Sequence, residues 1–540
     1  MSDKKINKAA YLFKLLEPLI QKIYFEESDD SVYVETLLYN GSKKLFKVRS
    51  TEFRRFATNV FYTKTENGIS RNTIDEAIQI IEGKALETGK EIEVSTRIAG
   101  NDKKICIFLA DQKKQAVRIT AGNVEIVPAT ETGYFFIKQK GTLALPAPNL
   151  PGDFSKIEKY LTIKKDDDDF ILFVAFLAMC FRQDGPFPIL SLSGEQGSAK
   201  TTHANIIKKL VDPSAAEKKC MPRNEHEAAL QGKHSWLLVY ENISYISDWF
   251  SDFLCTLATG GGLSVRTLYE NEEITIFDYK RPAILNGIND VISRPDLMDR
   301  AILIHLPTIS EEERKPEKTF WRDFNNDLPD ILGGLYTLLS SALQYHPVEV
   351  EKLPRMADFA IWGHAIEKAM NWETGAFATA YENNRHDGSN IALESSLIGR
   401  AFIYCFEDYV FPPEGWTGTA TELLCFVNNK FNDDTAKKSK YWPSTARKLA
   451  GDLRRIAPNL RQEGYEIKFQ RTDQARNIII SRNHDANDGN DGFRTSLALG
   501  DNKEEPNIRE ENTSSASSYR HEGAVQRPNE DNKGDDLELF

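Results

Sequence analysis

Hydrophobic and polar positions along the chain change rhythm several times, and each change marks a candidate boundary. Over residues 1–150, short alternating runs (SVYVETLLY, KKICIFLA, GYFFIKQ) mix with a helical stretch around Thr73–Glu87, which predicts a small α+β domain. The Pro-rich stretch Leu143–Gly152 reads as a linker. From about Asp153 to Tyr345 strand and helix patterns alternate, as α/β units do. The longest apolar run, Phe170–Phe181, is too short for a membrane span and reads as a buried helix. Helical text continues to about Tyr409, and Pro412, Pro413 and Gly415 mark a further boundary. After Arg482 apolar residues become sparse, and a packed core is not expected there. The expected organisation is therefore 1–150, 151–345, 346–410, 411–482 and a tail 483–540. A chain of 540 residues is long enough for several such domains.

Composition changes this picture little. Hydrophobic (41%) and charged (27%) fractions are ordinary for a globular chain. The N-terminus carries no secretory pattern, and six cysteines lie far apart with no CxxC pair, so a cytoplasmic protein without membrane segments is expected. Charge is more informative. The net value of −12 argues against a nucleic-acid partner, yet the tail from Asn483 holds 14 acidic against 6 basic residues. Residues 417–482 hold 13 basic against 7 acidic, so a DNA-facing surface is expected there. Arg49, Arg54 and Arg55 are a weaker candidate, better read as a solvated helix face.

The sharpest chemistry lies in the α/β region. PFPILSLS is a short apolar strand, GEQGSAKTT follows directly, and TTHANIIKKLV continues with helical periodicity. That context suits a phosphate-binding loop formed by Gly194, Glu195, Gln196, Gly197, Ser198, Ala199, Lys200, Thr201 and Thr202. Glycines allow the tight turn, Lys200 reaches the β/γ-phosphates of ATP, and the Thr201 hydroxyl holds Mg²⁺. Ala199 stands where the usual pattern has glycine, and it is expected to keep a negative φ. A second strand, SWLLVYEN, ends in Glu241, expected beside the loop's strand. Glu241 is either the carboxylate behind Mg²⁺ or the group that activates water, since Asn242 follows it. Asn286, ending RPAILNGIND, suits orientation of the attacking water, or simply a turn before Gly287. Arg294 and Arg300 are candidates for reaching a neighbouring subunit's γ-phosphate, or for pairing with Asp296 or Asp299.

The C-terminal segment reads as helices followed by a hairpin. In WPSTARKLAGDLRRIAPNLRQEG, Leu449, Leu453 and Ile456 share one helical face, while Arg447, Lys448, Arg454 and Arg455 lie opposite. Strands YEIKFQR and NIIIS then complete a winged helix-turn-helix pattern, with Arg471 and Arg476 on the wing near phosphate. Contact with another protein is the alternative use of such a face.

Together, GEQGSAKTT, LLVYENIS, SDFLCTLATGGGLSVRTLYENEEITIF, KRPAILNGI and SRPDLMDRAI resemble a family of phage and mobile-element ATP-binding proteins akin to superfamily-3 helicases of the AAA+ class. The resemblance runs from roughly Tyr33 to Arg482 and is densest between Gly185 and Pro307. It implies a multi-domain α/β chain with an AAA+ P-loop core, forming a hexamer or similar ring with ATP between subunits. It assigns Lys200 and Thr201 to phosphate and metal, Glu241 to Walker B and Asn286 to sensor 1, and it makes Ala199 a family trait. It also implies a DNA-gripping hairpin in VRTLYENEEITIF. The tip of that segment is acidic, leaving Arg266, Lys280 and Arg281 as cationic candidates. The terminal GDDLELF, with Leu537, Leu539 and Phe540, resembles a sliding-clamp-binding peptide, although Asp536 stands where Gln is usual. The reading expected from the whole is a DNA helicase or translocase of mobile-element replication. A DNA-bound loader or switch, and a nucleotide-holding scaffold for clamp or primase, are the alternatives.

Overall fold

In the computed structural model, residues 7–482 are described except 27–29, 40, 42, 217–219, 267–273, 278–279, 288–290, 408–414 and 472–475. Side chains are also left undescribed at 263–266, 274–277 and 407. The first core is built by α1 (Lys8–Leu16), α2 (Thr51–Thr65) and α3 (Arg71–Thr88) against a sheet ordered β3-β2-β1-β4. Its strands are β1 (Ile20–Glu26), β2 (Ser31–Leu37), β3 (Lys43–Lys47) and β4 (Lys90–Glu91). The hydroxyls of Ser50 and Ser70 cap α2 and α3 by accepting first-turn amide hydrogens, which is why both helices start where they do. Arg49 pairs with Glu82 at 2.6 Å and Arg54 with Asp75 at 2.9 Å, as expected of a solvated face.

Residues 94–136 do not share that core. β5 (Val94–Ser95) pairs with β10 (Phe135–Phe136), while β6 (Ile98–Asn101), β7 (Lys104–Phe108), β8 (Gln115–Thr120) and β9 (Asn123–Pro128) form an antiparallel meander. The meander's Ile105, Ile107, Val117 and Ile119 are buried in the same cluster as the central α/β region. The stretch expected as one α+β unit thus contributes to two cores. Residues 143–152 are no loose connector either. They strap across the later helix Glu317–Tyr345: Asn149 N–H donates to the Pro329 carbonyl at 2.9 Å, and the Thr337 hydroxyl to the Pro151 carbonyl at 2.8 Å. Glycine is required under the strap, since a β-carbon at Gly333 would lie 1.8 Å from the Asn149 carbonyl oxygen.

The central region is a parallel sheet ordered β12-β15-β11-β16, comprising β11 (Ile189–Ser193), β12 (Leu238–Ile243), β15 (Ala283–Gly287) and β16 (Ala301–His305). Side chains alternate between two faces, so both must be covered. Leu190, Leu192, Ile284 and Ile302 face one cluster with α4 (Asp168–Met179), α5 (Lys200–Val211), α9 (Glu317–Tyr345) and α10 (Ala357–Met370). Ile189, Leu238, Ala283 and Leu285 face another, shared with α7 (Asp248–Thr259) and α8 (Pro295–Met298). α6 (Glu225–His234) precedes β12. Every residue of α4 from Phe170 to Met179 is buried, the outcome expected of an all-apolar run. Between α7 and β15 lies an antiparallel hairpin, β13 (Leu263–Arg266) with β14 (Ile274–Phe277).

α11 (Ala376–Ser395) leads into the last core, in which α12 (Leu397–Glu407) packs with α13 (Ala420–Lys430), α14 (Asp434–Lys437) and α15 (Ala446–Gln462). β17 (Trp416–Thr419), β18 (Tyr465–Arg471) and β19 (Arg476–Arg482) form an antiparallel sheet ordered β17-β19-β18. Leu449, Leu453 and Ile456 are buried in this core, as their spacing predicts. Among the described residues, no helix is long and apolar enough to cross a membrane.

Candidate nucleotide site and basic surface

The loop between β11 and α5 is held in its turned shape by backbone geometry. Gly194 has φ +142° and Gly197 has φ +91°, both regions that favour glycine. Gly194 has no room for a side chain, because a β-carbon there would lie 2.5 Å from the Leu306 carbonyl oxygen. Ala199 departs from expectation. It adopts φ +58°, ψ +24° and is the left-handed residue from which α5 starts. A methyl group in that region costs roughly 1–2 kcal/mol, so the loop keeps its shape against local preference.

A buried histidine that the sequence pattern does not announce helps to hold it. The Thr162 N–H donates to His203 Nε2 at 3.1 Å, which leaves Nδ1–H to donate to the Ala199 carbonyl at 3.0 Å. Burial pushes the imidazole down to about 4, so it stays neutral and keeps this tautomer. The one signal in the sequence is a polar ring in the first turn of an otherwise ordinary amphipathic helix.

Lys200 folds back onto the loop. Its ammonium donates to the carbonyls of Gly194 (2.8 Å) and Glu195 (2.7 Å) and to the Ser198 hydroxyl (3.2 Å). Burial lowers its pKa from the ordinary lysine value. Ser198 is itself fully buried, whereas Glu195, Gln196 and Gly197 are exposed and Thr201 and Thr202 half-buried.

Strand order decides what faces this loop. The expectation that Glu241 lies beside the loop's strand is corrected, because β15 runs between β11 and β12. β15 carries Asn286 to the loop, where its Nδ2 donates to the Thr201 hydroxyl at 3.2 Å. β12 reaches the same end through a bulge: Tyr240 pairs with Leu285 and Ile243 with Gly287, so Glu241 and Asn242 together oppose Asn286. Bulges of this kind re-aim side chains beside active sites. Asn242 takes φ +55° and is exposed, while Glu241 is half-buried. Thr201, Asn286 and Glu241 thus gather at the carboxyl end of the parallel sheet, the usual ligand end of such sheets. Their oxygen donors are of the hard type that suits Mg²⁺.

The two candidate arginines are engaged within the chain. Arg294 approaches Asp252 at 2.8 Å, Asp296 at 3.3 Å and Asp248 at 3.7 Å. Burial alone would lower its pKa, but these carboxylates together raise it. Arg300 donates to the Asp296 carbonyl, and Asp299 pairs with Arg355 at 3.5 Å.

At the hairpin base, Arg281 is not presented outward: its guanidinium lies 4.9 Å from the ring centre of buried Trp236. Lys280 is half-buried against Gly260. Arg266 is described in its backbone only, and the acidic tip lies outside the described residues. On α15, Arg447, Arg454 and Arg455 are exposed, with Arg454 over the Phe469 ring at 4.5 Å and Arg455 paired with Asp452 at 3.4 Å. Arg471 and Arg476 are exposed and paired across β18 and β19. Lys448 is the exception on this face, because its ammonium caps the carbonyls of Lys440, Tyr441 and Trp442 at 3.1–3.3 Å. Leu537, Leu539 and Phe540 lie outside the described residues.

Residues 161–387 match the family described as actinomycete integrative conjugative element replication protein, and residues 401–495 match the C-terminal domain of that family's RepA. Over its central and C-terminal parts the chain is therefore similar to a replication protein of a mobile element. No curated protein matches it. Among solved structures, the SCCmec type IV Cch active helicase aligns over 86% of this chain and 92% of its own, at 12% identity and a TM-score of 0.43. The apo A form of the NrS-1 C-terminal region aligns over 88% and 98%, at 11% identity and a TM-score of 0.37.

Proposed function

We propose that the chain is an ATP-dependent DNA helicase or translocase of mobile-element replication, an AAA+ P-loop ATPase acting as a ring with a C-terminal winged helix. The observation that carries this reading is the meeting of Lys200, Thr201, Asn286 and the Glu241 bulge at one end of a parallel sheet. The replication-family match over residues 161–387 supports it.

In this reading Lys200 exchanges loop carbonyls for the β/γ-phosphates of ATP, replacing neutral acceptors by charged ones. The Thr201 hydroxyl and Glu241 hold Mg²⁺, which neutralises charge developing on the phosphates when bound. Asn286, already bonded to Thr201, turns its amide to orient the attacking water. Arg294 or Arg300 serves the neighbouring subunit's site, and Arg294 then has to leave three carboxylates. Arg447, Arg454, Arg455, Arg471 and Arg476 face DNA phosphates.

The test is DNA-stimulated ATP turnover in the wild type and in Lys200→Ala. Loss of one such charge-stabilising group lowers kcat by roughly 10²–10³, and undiminished turnover in the variant ends the proposal. A second reading, a DNA-bound loader or switch, is favoured by the stacking of Arg281 on Trp236, which withdraws a cation from the hairpin base. Strand displacement on a forked substrate separates the two, because a loader alone displaces nothing.

A further inference from the structure

One arginine near the loop differs from Arg294 and Arg300. The segment after β16 runs beside the end of β11 and the loop that follows it. Leu306 N–H donates to the Ser193 carbonyl at 2.9 Å and Ile309 N–H to the Gly197 carbonyl at 3.4 Å. This course ends with Arg314 over the loop's apex, where Nη2 lies 3.1 Å from the place a β-carbon at Gly197 would take. Arg314 is exposed and makes no ion pair or hydrogen bond among the described residues. Its nearest acidic neighbour in sequence, Glu313, instead accepts from the Ser310 hydroxyl at 3.0 Å. A planar guanidinium with unused donors, beside a glycine-bearing loop at the start of a helix, has the chemistry to pair with a phosphate group.

We propose that Arg314 is a nucleotide-binding residue acting within its own subunit, closing over phosphates held at Gly197. The proposal rests on the phosphate-loop reading above. It accounts for the segment's attachment to the end of β11 at Ser193 and to the loop at Gly197, which brings the chain carrying the guanidinium alongside the loop. It also assigns the loop a second cation, at Gly197, beside Lys200, which is bonded to the Gly194 and Glu195 carbonyls.

The test is calorimetric titration of the full chain with MgATP, for the wild type, Arg314→Ala, Arg314→Lys and Lys200→Ala, beside thermal melting without nucleotide. Arg314→Ala is expected to weaken MgATP binding roughly tenfold to a hundredfold, the range of one or two charge-assisted hydrogen bonds. Its melting without nucleotide stays at the wild-type value, and Arg314→Lys recovers part of the affinity through charge alone. Wild-type affinity in Arg314→Ala, with binding lost in Lys200→Ala, overturns the proposal and leaves the phosphate loop standing. A lowered melting temperature with no recovery in Arg314→Lys assigns a structural role and also overturns it. Wild-type affinity in Lys200→Ala, or no binding by any of the four proteins, removes the phosphate-loop reading and this proposal together.

Discussion

The nucleotide region and the C-terminal region use the same kinds of charge in opposite settings. Behind the loop that joins β11 to α5, at the far end of α5, Arg97 and Lys208 are fully buried around Asp212, at 3.2 and 2.9 Å. Arg97 also donates to the carbonyls of Phe108 and Leu143, and Lys208 to that of Leu237, so this cluster ties the meander, α5 and β12 together. On α15, by contrast, Arg447, Arg454 and Arg455 stand in solvent, Arg454 against one ring and Arg455 beside one carboxylate. Buried charges fix a geometry, since each unmet partner is costly in low dielectric. Exposed ones contribute little to stability and leave most of their charge to solvent. The contrast separates a preorganised end from an electrostatic one.

The largest effect that tests this contrast is on stability. Asp212→Ala leaves two buried cations without their shared anion, and a loss of about 3–5 kcal/mol is expected in chemical denaturation. A change no greater than that of an exposed acid breaks the comparison. pH sharpens it. Burial alone would raise the Asp212 carboxyl, but Lys208 and Arg97 outweigh burial and hold it at about 2. Its folded value is depressed below the ordinary carboxylate value of 3.8, so its contribution is present above that pH and is lost as pH falls towards about 2. The stability difference between wild type and Asp212→Asn therefore shrinks over that window, and a constant difference contradicts the assignment.

On the electrostatic end, Arg454→Ala with Arg455→Ala is expected to leave folding nearly unchanged. It weakens DNA binding without regard to sequence and lowers the salt dependence of log K by about two, one for each DNA phosphate that no longer meets an arginine. Fluorescence anisotropy at several salt concentrations measures this, and an unaltered slope assigns the face to a protein partner. The smallest effect belongs to the loop. Ala199→Gly removes the β-carbon from a left-handed position and is expected to stabilise the protein by about 1 kcal/mol. A destabilised variant means that Ala199 carries no strain for glycine to relieve.

Much of the local structure is legible in the sequence. The strand, loop and helix around Gly194–Thr202 follow one another within a few turns of chain, so spacing alone reveals them. Leu449, Leu453 and Ile456 declare their face by helical period, and Phe170–Phe181 declares burial by having no polar face. The hairpin expected in VRTLYENEEITIF is present as β13 with β14, although its register, with Leu263 opposite Phe277, is not readable from that spacing. Less legible is anything set by a partner distant in sequence. The Pro-rich stretch 143–152 reads as a connector because its attachment to Pro329 and Thr337 lies far along the chain.

By itself, then, the sequence determined the strand, glycine turn and helix around Gly194–Thr202, the buried run Phe170–Phe181 and the buried face of α15, because those properties depend on neighbours within a turn or two. Tertiary structure alone decided that β15 enters between β11 and β12, bringing Asn286 to Thr201. It decided that Ala199 is left-handed, that Arg294 is held by three carboxylates and that Arg314 reaches Gly197. Strand order, strain and ion pairing are outcomes of packing the whole core at once, and no local window of residues carries that competition.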